Sequence, residues 1–119
     1  MSSKKEIFKT ADLITIHTPL TNLTKNLINK SHLKLMKKSS FIINTSRGGI
    51  VNEQDLYNSL RKNQIKGAAL DVYQNEPCYK KKLIRLKNII CTSHIGGSTK
   101  ESIKNMGLAA IKNLKNSIN

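Results

Sequence analysis

Residues 41–55 read Phe41-Ile42-Ile43-Asn44-Thr45-Ser46-Arg47-Gly48-Gly49-Ile50-Val51-Asn52-Glu53-Gln54-Asp55. The apolar run Phe41-Ile42-Ile43 predicts a strand covered on both faces. Small polar residues and the pair Gly48-Gly49 then turn the chain. Asn52, with Glu53 and Asp55 behind it, has the makings of a helix start. Arg47 therefore falls on a glycine-bounded turn at the carboxyl end of a buried strand, where open α/β sheets take their ligands. A guanidinium there either grips a carboxylate through two parallel hydrogen bonds or merely decorates the turn.

The flanking sequence repeats the alternation of strand and helix. Upstream, residues 4–9 look like the tail of a helix, and residues 13–16 predict a short buried strand that ends at His17-Thr18-Pro19, where proline stops further pairing. Ser31 is placed to cap a helix carrying Leu33, Leu35 and Met36 and ending in Lys37-Lys38. Downstream, a helix from Asn52 to about Lys62 presents Leu56 and Leu60 on one face. Residues 66–72 predict a third strand built of small side chains, residues 73–87 are irregular, and residues 88–92 predict a fourth strand. Ser98 and Glu101 fit the capping box of a last helix, in which Ile103, Met106, Ala110, Leu114 and Ile118 recur at helical spacing. Gly107 weakens that helix by about 1 kcal/mol relative to alanine.

Four buried strands separated by helices imply an α/β fold with a parallel sheet. Each strand ends in a turn that holds a polar residue: His17, Arg47, Asp71 and His94. In a parallel sheet those ends share one edge. Arg47 would hold a carboxylate there, His94 would take or give a proton near neutrality, and Glu76 would accept a hydrogen bond from the far ring nitrogen. The plainer alternative for His94 is a satisfied histidine beside a turn. Asp71 is either a ligand contact or a capping carboxylate, and His17 orders the Pro19 turn. Gly96-Gly97 ahead of the last helix leaves backbone N–H groups open to an anion or an amide.

Composition narrows the partners. The formal charge of +14 comes from 18 Lys against 3 Arg, in a chain with 13 Asn and 15 Ile. The lysines are scattered apart from Lys80-Lys81-Lys82, and only 4% of residues are aromatic. That is unlike the arginine-rich, aromatic-lined stripes that read nucleic acid, and no nucleic-acid partner is expected. A diffuse positive field suits small anionic metabolites. No apolar run reaches the roughly 18 residues of a membrane span, and no signal peptide is seen, so no membrane partner and a cytoplasmic location are expected. Cys78 and Cys91 have no spacing that suggests a disulfide framework, and no metal site is expected.

Residues 11–21, 43–52, 67–77 and 93–101 together resemble, in wording, order and spacing, the NAD-binding domain of the D-isomer-specific 2-hydroxyacid dehydrogenases. Within that family, His94-Ile95-Gly96-Gly97-Ser98-Thr99-Lys100-Glu101 and the short interval from Glu76 to His94 look most like the D-3-phosphoglycerate dehydrogenases of serine biosynthesis. The resemblance implies the second half of a doubly wound (Rossmann) parallel sheet. It also implies NAD as cofactor, a small anionic 2-hydroxy or 2-oxo acid as substrate, and a homo-oligomer for the full-length member. It makes Arg47, Glu76 and His94 catalytic. It places cofactor contacts on Thr18, Thr45, Ser46, Arg47, Asp71, His94, Ile95, Gly96 and Gly97. Residues 1–119 would be a partial NAD-binding domain, with residues 99–119 leading toward a substrate domain. Glyoxylate or hydroxypyruvate reductases, and NAD-sensing binding modules without catalysis, are alternatives within the same resemblance.

Two departures stand out. Ser93 precedes His94 where the family usually has proline. The sequence also contains no Gly-x-Gly-x-x-Gly and no acidic ribose-binding residue after one. These 119 residues alone are therefore expected to show no dehydrogenase turnover.

Overall fold

A computed structural model of the chain describes residues 3–78 and 82–118. The run Lys80-Lys81-Lys82 thus falls largely outside the described residues. Strands β1 (Leu13–Ile16), β2 (Phe41–Asn44), β3 (Gly67–Leu70) and β4 (Ile89–Cys91) form one sheet in the order β1-β2-β3-β4, every pair parallel. The helices are α1 (Lys4–Thr10), α2 (Lys30–Leu33), α3 (Glu53–Arg61) and α4 (Lys100–Ile118), with a 3₁₀ turn at Lys82–Arg85. The third and fourth strands are shorter at both ends than the sequence predicts.

Caps explain where the helices begin. Ser3 accepts from the Glu6 N–H at α1, and Asn52 accepts from the Asp55 N–H at 3.0 Å at α3, as its sequence position suggests. Asn29, rather than Ser31, caps α2, which is a single turn ending at Leu33. Thr99, rather than Ser98, accepts from the Ser102 N–H at α4, because the helix begins at Lys100 and Thr99 is the residue that immediately precedes it.

The core lies on one side of the sheet. Ile16, Ile42, Ala68 and Leu70 pack there with Leu33 of α2, Leu56 and Leu60 of α3, Ile65 and Leu83. The opposite side is open, which corrects the expectation of strands covered on both faces: Leu13 is 53% exposed, Phe41 45% and Ile90 70%. A strand's apolar run reads the same in sequence whether one neighbour or two will cover it. Helix α4 has no buried residue.

The polar residues after the four strands fall on one edge as the sequence reading requires, since all four strands run the same way. That edge positions the site.

Candidate active site

The turn after β2 is built by Asn44, which is buried. Its Nδ2 donates to the Arg47 carbonyl at 2.9 Å, and its Oδ1 accepts from the Ser46 N–H at 3.1 Å and the Ser46 hydroxyl at 3.0 Å. A short side chain with one donor and one acceptor thereby folds the backbone back on itself, an Asx turn. Arg47 lies exposed at its tip, with Nη1 donating to the Ser46 carbonyl at 2.7 Å. Arg47 and Ser46 line a recess of about 310 Å³ with His17, Thr18 and Pro19. Thr45 is exposed beside it. His17 bonds back to the Thr15 hydroxyl at 2.8 Å, so it is tied to the end of β1.

Gly48 locks this turn against the next one. A Cβ on it would fall 1.9 Å from the Tyr73 carbonyl oxygen, so no side chain fits between the two backbones. That contact carries the chain from the Arg47 turn to the loop that bears Glu76. The Gln74 N–H of the same loop donates to Glu53 at the start of α3.

The loop after β4 is organised by Asp71, a buried carboxylate at the end of β3. Its Oδ1 accepts from the Thr92 hydroxyl and from the Ile95 N–H at 2.9 Å, and its Oδ2 accepts from the Gly96 N–H at 2.8 Å. Burial pushes the Asp71 carboxyl up. The hydrogen bonds from Thr92, Ile95 and Gly96, together with the field of His94, outweigh it and leave the group below its ordinary value. Gly96 approaches so closely that a Cβ would meet Oδ2 at 2.9 Å. Asp71 therefore holds the loop at three points, two backbone N–H groups and one hydroxyl, and caps no helix, since α4 begins only at Lys100.

Between those anchors, His94 takes φ 59°, a left-handed conformation uncommon outside glycine and costly enough to need enforcement. Asp71 supplies the enforcement by gripping the next two N–H groups. The ring is thereby presented to Glu76, whose Oε2 lies 2.8 Å from His94 Nδ1. Glu76 Oε1 accepts from the Tyr73 N–H at 3.0 Å. The bond with His94, then that N–H, hold the Glu76 carboxyl below its ordinary range against burial and the charge of Asp71. An ionised carboxylate only accepts, so Nδ1 carries the proton of this bond and Nε2 remains for other work. The pair borders a cavity of about 310 Å³ with Tyr73, Pro77, Cys78 and Ser93.

The structure thus brings Glu76 and His94 into contact and joins Asp71 to Ile95 and Gly96, while Arg47 lines a separate recess with Thr18 and Ser46. Gly97 is bare, with nothing within 4 Å of where its Cβ would sit. Sequence reasoning missed Asn44, Thr92 and Tyr73. The buried Tyr73 hydroxyl lies within hydrogen-bond reach of the Leu70 carbonyl at 3.0 Å and the Thr92 carbonyl at 2.8 Å, clamping β3 to the His94 loop. A tyrosine next to an apolar strand was the available signal, because a buried phenol needs a partner. Among the described residues no cluster of His, Cys, Asp or Glu is suited to a metal ion, and no helix is long and apolar enough to cross a membrane.

Residues 1–96 match the family profile described as D-isomer specific 2-hydroxyacid dehydrogenase, NAD binding domain. The chain is similar to D-3-phosphoglycerate dehydrogenase of Methanocaldococcus jannaschii, 42% identical over 110 residues, which are 92% of this chain and 21% of the relative. It is equally similar to glyoxylate reductase of Thermococcus litoralis, 42% identical over 108 residues, 91% of this chain and 33% of the relative. In three dimensions it resembles the NAD-complexed D-isomer specific 2-hydroxyacid dehydrogenase of Lactobacillus delbrueckii ssp. bulgaricus, with TM-score 0.87 and 30% identity over 94% of this chain and 38% of that one. The chain thus spans between a fifth and a third of the length of these two curated relatives.

Proposed function

The chain belongs to the D-isomer specific 2-hydroxyacid dehydrogenases, through their NAD-binding domain, and from that premise we propose that it serves NAD-linked oxidation of a D-2-hydroxy acid, with 3-phosphoglycerate as substrate. The observation that carries the proposal is the 2.8 Å contact between His94 Nδ1 and Glu76 Oε2 at the carboxyl edge of the sheet. An imidazole oriented through one nitrogen by a carboxylate is a general base at the other.

Arg47 holds the substrate carboxylate by a bidentate pair, and its charge polarises the neighbouring α-oxygen. His94 Nε2 takes the hydroxyl proton as the alcohol becomes a ketone, and returns it in the reverse direction. Glu76 keeps the ring in the tautomer this requires and stabilises the cation that forms. When bound, NAD supplies the hydride acceptor. Thr18, Thr45, Ser46, Arg47, Asp71 and His94 through Gly97 would hold it. The open recess beside Thr18 and Arg47 and the bare backbone at Gly97 support that fit. Asp71 acts mainly by positioning the His94 loop, with acceptor capacity left for an amide. Helix α4, its apolar stripe uncovered, leads toward a substrate domain. The equal identity to a glyoxylate reductase favours reduction of glyoxylate or hydroxypyruvate as the second reading.

Residues 1–119 grafted in place of the matching segment of the Methanocaldococcus and Thermococcus relatives provide the test. With NADH and 3-phosphohydroxypyruvate the first graft is expected to turn over, and His94→Ala to cut the rate by about 10²–10⁴-fold. A graft that binds NADH yet reduces no 2-oxo acid leaves an NAD-binding module without catalysis. A preference for glyoxylate in both hosts overturns the phosphoglycerate assignment.

A further inference from the structure

The chain has two cysteines, Cys78 and Cys91, both free and both partly buried. One lies on the loop two residues beyond Glu76; the other ends β4, opposite Leu70 of β3. Although far apart in sequence, they share the wall of a single cavity of about 410 Å³ with Tyr73, Ile84, Thr92 and Ser93. Cys78 and Tyr73 also line the neighbouring cavity that holds Glu76 and His94. Tyr73 borders the first cavity with both cysteines, and its ionisation is opposed by burial first and then by Cys91 and Cys78. The shared wall brings two side chains that are distant along the chain to one cavity, the first condition for a bridge between them.

We infer that Cys78 and Cys91 form a dithiol modification site that closes to a disulfide by exchange with a low-molecular-weight disulfide. The Cys78 thiolate attacks one sulfur of the small disulfide, whose S–S bond breaks as one small thiol leaves. Cys91 then gives its proton to solvent and attacks the Cys78 sulfur, expelling the second small thiol. The two cysteines are oxidised by one electron each, and one small disulfide is reduced to two thiols. Cys91 acts second because burial, above all, pushes its thiol up and keeps it protonated. The new bond ties the Glu76 loop to the strand that leads into His94. Redox state is thereby coupled to the Glu76–His94 pair.

The whole chain, equilibrated with mixtures of reduced and oxidised glutathione and weighed by mass spectrometry, decides this. The expected main product has lost two hydrogens, carries no glutathione and remains a single chain. Its effective thiol concentration should be at least about tenfold higher in buffer than in urea. Cys78→Ser and Cys91→Ser should each stop at a single glutathione adduct. The His94 ring resonances of the parent should shift on oxidation, while those of the two variants stay closer to their reduced positions. Two separate adducts on the parent, a bridge between chains as the main product, or equal effective concentrations in buffer and urea would overturn the proposal.

Discussion

Helices Glu53–Arg61 and Lys100–Ile118 both carry an apolar stripe, yet the first buries Leu56, Ser59 and Leu60 and the second buries nothing. The same contrast divides the sheet, whose one side holds the core while Leu13, Phe41 and Ile90 stand exposed on the other. An apolar face records a need for a partner, and of these two helices and two sheet sides only α3 and the side it packs on have one. The elements that close on each other are also those that build the site: α3 reaches Gln74 through Glu53, β3 supplies Asp71, and the β2 turn meets the Tyr73 backbone at Gly48.

The contrast can be broken most forcefully at Leu56. Truncation to alanine should cost about 2–5 kcal/mol in a urea titration, because the side chain is fully buried and its neighbours relax only partly. Gly48→Ala should follow at about 1–3 kcal/mol or more, since its Cβ would collide with backbone rather than with a yielding side chain. Nuclear magnetic resonance should then show the 73–78 loop displaced. A wild-type spectrum would mean that the two turns are not locked.

Asp71→Asn should cost about 1–3 kcal/mol, confined to the His94 loop, because one of the three donors meets an amide NH₂ in place of an oxygen. Hydrogen exchange at Ile95 and Gly96 should accelerate while that of α3 is unchanged. Acid should do the same more gradually. The Asp71 and Glu76 carboxyls both lie below their ordinary values in the folded chain, so the unfolded chain takes up protons first. Their contribution is complete above about pH 5 and fades as pH falls through the lower, folded values. Protection at Ile95 that survived well below this window would remove Asp71 from its role. At the small end, Leu114→Ala in α4 should stay within about 0.5 kcal/mol, and a larger loss would show that its stripe is covered in solution.

Much of the site was legible in the residues because turn chemistry is local. Gly48-Gly49, Asn52 and the polar residue ending each strand announce themselves within a few positions, and parallel pairing then sets His17, Arg47, Asp71 and His94 on one rim. Less local features were not legible. Ser98 and Thr99 are equally able caps, and the choice fell to Thr99 because the helix starts one residue later than the capping box suggests. Asn44 looked like an ordinary strand end, although its buried amide shapes the Arg47 turn.

The order of elements, the parallel α/β class and the polar residue that ends each strand were written in the chain itself, since each depends on periodicity and on residues a few places apart. Folding in space made the expected contact of Glu76 with His94, and it alone settled that Asp71 holds His94 in its left-handed turn, that two distant thiols share a cavity, and that one side of the sheet stays open. Those contacts join residues many positions apart, and what brings them together is the geometry of the neighbouring strands rather than any pattern along the polymer.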